Sequence, residues 1–426
     1  MKIGMQTWGS DGDILPMCAL AGELTDVGHE VTLVVTSIDN KNYSKLSESL
    51  GFQLIHVDLP MPELSEREIR FINFILESTI NTPFQILLLG NITFNNVIEE
   101  MFSVSKKLAE ENDLLINYFF CHTLATASEI EGKKWITVYP APCYIYSAHI
   151  PPTSFPNIGM TTNRLFWKMT ESFIDFLFLA NTNKIRKQYS LKKINNMVKN
   201  VWMSPYLNII ASSPVICDRA DDWNANIQYS GFLNLPEKTQ QWSRSKELNN
   251  FLLAGPPPVY MTFGSFNKIS IDKNIKLFSK VAKITGMRTI IQSNWNEATF
   301  FPDSRNIFLI DTIPHREIFP LCSAIVHHGG AGTVQTALKF GLPSVVVSHG
   351  FDHTYFARAL ERNGAGYKPL SKLFVSPSEI AKGISRITED GSYKKTAELL
   401  GKKIQMETGV KNAVLMIERF ADKNPV

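Results

Sequence analysis

The chain has 426 residues, 44% of them hydrophobic, and its 43 Lys and Arg against 40 Asp and Glu leave a net charge of +3. That length exceeds what a single core usually organises, so two domains of roughly 200 residues are expected. Near balance of charge, with no long basic block or aromatic-basic repeat, argues against a polynucleotide partner.

The pattern opens with a strand at Lys2 to Gln6, read as a strand rather than a secretory leader because no small-residue cleavage site follows. A helix from about Ile14 to Val27, capped by Gly28, and strands at Val31 to Val35 and Gln53 to Val57 complete a βαβ start. Leu114 to Asn117 and Trp135 to Tyr139 continue it as buried strands. Between these lie two long, mostly helical insertions, Pro62 to Met101 and Thr161 to Lys199. Their aromatics, Phe71, Phe74, Phe84, Phe94, Phe166, Trp167, Phe173, Phe176 and Phe178, either line a pocket for an apolar acceptor or form the packed faces of amphipathic helices. The basic cluster Lys184, Arg186, Lys187, Lys192 and Lys193 reads either as a solvated helix face or as a contact for anionic lipid headgroups. No apolar run reaches the roughly 20 residues of a membrane span, so contact with a membrane is at most peripheral.

Gly, Pro, Asn and Gln accumulate from 231 to 258 and end in Gly255-Pro256-Pro257-Pro258, which no helix accommodates. The expected division is therefore residues 1–230, a linker at 231–258, a second domain at 259–410 and a final helix at 411–426. The second series has a strand at Val259 to Phe263, a turn at Gly264-Ser265 and a helix from Lys273 to Gly286. Strands at Thr289 to Gln292 and Ile307 to Ile310 follow, then Ile313-Pro314-His315. Ser265 either binds a ligand phosphate or caps its own helix, and Trp295 either stacks on a base or packs. The five cysteines, Cys18, Cys121, Cys143, Cys217 and Cys322, are scattered and without CxxC spacing, so neither a disulfide framework nor a zinc site is indicated. A reducing cytoplasm is the default compartment.

The most informative stretch is His327-His328-Gly329-Gly330-Ala331-Gly332-Thr333, after the apolar run Ala324-Ile325-Val326. It reads as strand, glycine turn and a helix opening at Thr333, whose first amides lack internal partners and suit a diphosphate. His328 adds a donor beside the glycines. Gly341-Leu342-Pro343 and Ser344 to Val347 supply the next strand, and Asp352-His353 beyond it is placed to accept hydrogen bonds from a sugar.

Ile313-Pro314-His315, Ile318-Phe319-Pro320, HHGGAGT, GLPSVVV and Asp352-His353 resemble the nucleotide-sugar box of family 1 glycosyltransferases of the GT-B fold. The likeness is greatest to the branch of sterol glucosyltransferases and glycopeptide-antibiotic glycosyltransferases, which also share a motif like Thr7-Trp8-Gly9-Ser10-Asp11-Gly12-Asp13. The resemblance implies an α/β fold of two Rossmann-like, doubly wound parallel-sheet domains facing across a cleft, with the last helix returning to the first domain. It implies Asp13 as catalytic base, Gly9, Ser10, Asp11 and Gly12 as its loop, and a nucleotide base held near Ile313 and His315. Ser265, His328, Gly330, Ala331, Gly332 and Thr333 would hold phosphates, with Asp352 and His353 at the sugar. The reaction so implied is inverting transfer of a hexose, with UDP-glucose the expected co-substrate and no other cofactor, to a hydroxyl of a sterol, polyketide or other lipid-like acceptor.

Two residues depart from that branch. His353 stands where Gln is usual, which removes an amide that contacts the sugar. Asp11 stands where Arg is frequent, and its charge beside Asp13 is expected to raise the base's pKa by repulsion where both are shielded. Asp11-Gly12-Asp13 also spells the DxD of manganese-dependent glycosyltransferases, but no third acidic ligand is nearby, and metal independence is expected. Two other functions fit the same fold: an auxiliary partner that binds nucleotide sugar without turnover, and a UDP-sugar epimerase.

Overall fold

The computed structural model describes residues 1–58, 97–153, 155–236, 243–264, 271–293, 300, 302, 305–311 and 313–424. These fall into two compact units, one holding residues up to 236 together with 407–424, the other those from 243 to 406.

In the first unit, β1 (Lys2–Gly9), α1 (Asp11–Asp26), β2 (Glu30–Ser37), α2 (Ser44–Leu50) and β3 (Gln53–His56) form the opening βαβ series. α3 (Ile98–Glu111), β4 (Leu114–Tyr118), α4 (His122–Ile130) and β5 (Trp135–Tyr139) continue it. The long helix α5 (Met160–Gln188), a π-helical turn at Val198–Trp202, β6 (Leu207–Ile210) and β7 (Ile227–Tyr229) complete the sheet. All pairings are parallel, in the order β3-β2-β1-β4-β5-β6-β7. Parallel strands covered by helices on both faces read as continuous apolar runs, and β4 and β5 are buried at every position.

The second unit repeats the plan. α6 (Lys246–Leu253) precedes β8 (Val259–Met261), α7 (Ile271–Thr285), β9 (Thr289–Gln292), β10 (Ile307–Ile310) and the single turn α8 (His315–Ile318). Then come β11 (Ala324–His327), α9 (Ala331–Lys339), β12 (Ser344–Ser348), α10 (His353–Arg362) and β13 (Leu370–Ser371). α11 (Pro377–Glu389) and α12 (Gly391–Gln405) close it. Its sheet runs β10-β9-β8-β11-β12-β13, again parallel. One side of that sheet packs Met261, Phe263, Val326 and Val347 against Phe278 and Ile384, and the other packs Tyr260, Ile290 and Ile325 against Phe319 and Ala337.

Both sheets therefore have the doubly wound order in which the chain reverses direction beside its first strand. The reversals fall between β1 and β4 and between β8 and β11. Connections diverge there at the carboxyl ends of the strands and leave a crevice for a ligand. The last helix, α13 (Gly409–Lys423), belongs to the first unit and packs on α1, with His29 Nε2 3.5 Å from Glu418 and Asn412 Nδ2 donating to the Ser230 carbonyl at 2.9 Å.

Candidate active site

At the first reversal the strand end, cap and helix start are tightly interlocked. α1 begins at Asp11, three residues before the Ile14 that periodicity indicates, because Ser10 takes extended backbone as its N-cap. Gly9 to Gly12 are thus no loop: Gly9 ends β1, Ser10 caps, and Asp11 and Gly12 lie in the first helical turn. Asp13 is the third helical residue, and its Oδ2 accepts the Ser10 amide at 2.9 Å and the Ser10 hydroxyl at 3.3 Å. That is half of a capping box, a structural task that a carboxylate there performs whatever else it does.

The other oxygen has a partner that the linear sequence conceals. Asp13 Oδ1 accepts the Tyr118 hydroxyl at 2.9 Å. The register Gln6↔Asn117 between β1 and β4 sets Tyr118 level with Thr7, and so beside the start of α1. Thr7 Oγ1 donates to the Asp13 carbonyl at 3.1 Å. Burial pushes the Asp13 carboxyl above the usual carboxylate range, and the hydrogen bonds from Ser10 and Tyr118 pull it partway back. The repulsion expected from Asp11 is not the cause. Lys41 Nζ meets both Asp11 oxygens at 2.7 Å, and the Tyr43 hydroxyl donates to Oδ1 at 2.8 Å. The two acids of the DxD sequence are therefore held by different partners, and among the described residues no three acidic, His or Cys side chains converge as metal ligands do.

Aromatic rings gather around Phe119 and Phe120, which follow Tyr118 in the chain. Trp8 stacks on Phe120 at 5.3 Å, Phe120 meets Trp202 at 5.0 Å and Phe178 at 5.8 Å, and Phe119 lies 4.4 Å from Tyr144. Of the helical aromatics singled out by sequence, Phe178 joins this group. Trp167 packs inward, donating from Nε1 to the Ile150 carbonyl at 2.8 Å, and Phe166 stacks on Phe155. Phe71, Phe74, Phe84 and Phe94 lie outside the described residues, as do Ser265 and Trp295. The basic cluster is not one surface either: Arg186 is buried, with Nη1 2.6 Å and Nη2 2.9 Å from the Glu129 carboxylate.

At the second reversal, α9 starts at Ala331 with Gly330 as N-cap, two residues before the expected Thr333. The Thr333 and Val334 amides both donate to the Gly330 carbonyl at 3.0 Å, so Thr333 is a buried residue of the first turn and its amide is spent. Ala331 and Gly332 lead the helix, and their amides precede any intrahelical acceptor. A Cβ on Gly332 would meet nothing within 4 Å, so open space lies over this corner.

His328 stands at its edge, clamped by two glycines. A Cβ on Gly330 would come within 2.5 Å of its Nε2, and one on Gly264 within 2.7 Å of its Cε1. Gly329, at φ 103°, lets the chain pass close to Val346 and the His353 carbonyl. His353 meets His328 edge-on at 4.8 Å, and His349 lies 6.4 Å from both. His353 is thus a buried helix-start residue packed on His328, and Asp352 holds the N-cap position of that helix with no side-chain capping bond. Phe351, between Gly350 and Asp352, holds φ 49°, a left-handed conformation that costs a bulky residue roughly 1–2 kcal/mol and concentrates at binding sites. Burial lowers the pKa of His328 to about 3 and holds His327, His349 and His353 well below their ordinary range, so the group is neutral at pH 7. His327 Nδ1 accepts the Gly329 amide at 3.1 Å, which puts its proton on Nε2. Ile313 is buried, and His315 stacks on Phe319 at 4.5 Å with its pKa lowered by burial to about 4.

Residues 288–409 match the C-terminal domain family of erythromycin biosynthesis protein CIII-like proteins. A sterol 3-beta-glucosyltransferase of Arabidopsis thaliana is 25% identical over 97% of this chain and 67% of its own length. One of Vanderwaltozyma polyspora is 28% identical over 97% of this chain and 34% of its own. The chain therefore spans about two thirds of the plant relative and about a third of the fungal one. Among solved structures, the glycotransferase of kitacinnamycin superposes with a TM-score of 0.71 at 15% identity, covering 98% of both chains. Glycosyltransferase VinC in complex with dTDP does so at 0.66 and 18%, covering 100% of both. Fold and relatives agree on a class: the fold is that of the GT-B glycosyltransferases, and the chain is similar to glycosyltransferases both at 288–409 and along nearly its whole length. Within that class its sequence is similar to the sterol 3-beta-glucosyltransferases along nearly its whole length.

Proposed function

We infer that the chain transfers a hexose, glucose by preference, from a UDP-sugar to a hydroxyl of an apolar acceptor of the sterol, polyketide or lipid-like class, with inversion at the anomeric carbon. The observation that carries this reading is the Asp13 carboxylate, placed at the first sheet's reversal, shielded enough to raise its pKa, and with one Oδ1 lone pair beyond the Tyr118 bond. A base whose pKa lies nearer the working pH accepts a proton more effectively than an exposed carboxylate. Asp13 takes the acceptor hydroxyl's proton as that oxygen bonds to the anomeric carbon. The bond from that carbon to the diphosphate oxygen breaks, and its electron pair leaves with UDP. Charge growing on the diphosphate is met by the Ala331 and Gly332 amides, the α9 dipole and an imidazole N–H of His328. His328, neutral at pH 7, contributes a donor and not a charge. Asp352 supplies the acceptor for sugar hydroxyls. The Lys41 and Tyr43 bonds to Asp11 support a metal-independent reaction.

The purified chain is incubated with UDP-glucose or dTDP-glucose and a panel of sterols and hydroxylated aglycones, with and without EDTA, and products are read by mass. A hexose gain from UDP-glucose that persists in EDTA and disappears in Asp13→Asn is expected. Undiminished turnover in Asp13→Asn refutes the base assignment. Preference for dTDP-glucose refutes the donor.

A further inference from the structure

Helix α5 turns an apolar stripe to solvent. Leu165 is 56%, Met169 54% and Phe176 76% exposed, at spacings of four and seven residues that align them on one face. The opposite face is the one that packs, through Trp167, Ile174, Leu177 and Phe178. A single exposed apolar side chain needs no explanation, but a row of three along one helix does.

Charge around the stripe is one-sided. Residues 157–200 carry eight Lys and Arg against two acids; Lys184, Arg186 and Lys199 pair with Glu99, Glu129 and Glu171, which leaves Arg164, Lys168, Lys187, Lys192 and Lys193 as the basic excess. Both acids are engaged on the packed side: Glu171 takes Lys199 at 3.0 Å, and Asp175 accepts the Met197 amide at 2.7 Å. Arg164, Lys168 and Lys187 are exposed beside the stripe.

We propose that this face of α5 docks the chain on an anionic lipid surface, with Leu165, Met169 and Phe176 entering the headgroup boundary and Arg164, Lys168 and Lys187 against lipid phosphates. No described helix is long and apolar enough to cross a membrane, so the contact runs along the interface. A second copy would set like charges face to face, whereas phosphate complements them. The surface does not depend on Asp13 being the base.

The full chain is sedimented with vesicles of phosphatidylcholine alone and of phosphatidylcholine with phosphatidylglycerol, at low and high salt. Binding is expected only with phosphatidylglycerol and is expected to weaken with salt. Phe176→Ser lowers partitioning about tenfold and Lys168→Glu about fivefold or more, without change in melting temperature, because both side chains are exposed. Absent or equal binding to the two vesicles, or variants that bind as the parent does, overturns the proposal. So does a concentration-dependent dimer that Phe176→Ser abolishes while vesicles remain unbound, since that assigns the stripe to a second copy.

Discussion

Gly332→Ala separates a ligand site from a packing motif at the glycine corner. A Cβ there meets no protein atom within 4 Å, and the residue lies in the first turn of α9 with ordinary helical backbone. Alanine is therefore free to stabilise the helix, by about 0.4–1 kcal/mol. That raises the melting temperature of a unit of this size by roughly 1–4 °C. The same methyl takes up part of the open space at the corner that would receive a diphosphate. Loss of one charge-assisted hydrogen bond costs about 1.5–3 kcal/mol, or roughly 10- to 150-fold in Kd. Calorimetric titration with UDP, paired with thermal melts, reads both quantities on one sample. Gly330→Ala is the contrasting variant: its Cβ strikes His328 Nε2, and Gly264 blocks the ring's retreat, so stability falls by about 1–3 kcal/mol together with affinity. Were Gly332→Ala to melt higher yet bind UDP within twofold of the parent, the corner would be packing alone and the phosphate assignment wrong.

Other perturbations probe the remaining parts. Tyr118→Phe removes a hydrogen bond that favours ionised Asp13, so the carboxyl rises further and the acid limb of kcat/KM moves to higher pH; a lower rate with an unmoved limb would mean that Tyr118 is structural only. The buried histidines make the second unit acid-labile. His315 at about 4 and His328 at about 3 lie below the ordinary 6.5, so the stability they hold is complete above pH 6.5 and drains away as pH falls towards 3. His353→Gln removes one such proton uptake, and its melting temperature is expected to fall less steeply from pH 7 to 5 than the parent's; parallel curves would show that His353 is not titrating with unfolding. Glu129→Ala strands the buried Arg186 guanidinium and is expected to cost about 3 kcal/mol in denaturant melts of the first unit, whereas no loss would indicate that water replaces the carboxylate.

The fold class is legible because buried parallel strands are short, continuous apolar runs between helix-period segments. Trp135–Tyr139, Thr289–Gln292 and Ile307–Ile310 have the bounds their composition suggests. Strands such as β6 are harder, since Leu207–Ile210 carries a buried Asn208 in only four residues, its polar atoms satisfied by Ser204. Helix starts are misread by a few residues where the cap decides: Ser10 and Gly330 open their helices ahead of the first apolar-periodic position. Tyr118 at Asp13 is 105 residues away along the chain, and only the adjacency of β1 and β4 brings them together. That burial and not Asp11 raises the Asp13 pKa is hidden for a related reason, because Lys41 and Tyr43, which hold Asp11, come from the segment after β2.

Glycines at the two sites do more than turn the backbone. A Cβ on Gly9 would lie 2.6 Å from the carboxyl carbon of Asp13, and those on Gly264 and Gly330 would collide with the His328 ring. In each case the missing methyl is the space that a candidate side chain occupies. Turn propensity alone does not require this: Gly330, at φ −61°, has a backbone that any residue adopts. Glycine is needed there for clearance, as it is at Gly9, where the φ of 138° adds a conformational demand to the steric one. Ser10 and Tyr118 then hold the Asp13 carboxylate from two sides, while Gly264 and Gly330 hold the His328 imidazole from two sides. Each candidate group is held in place by its surroundings, and such preorganisation is what makes charge stabilisation effective in a transition state.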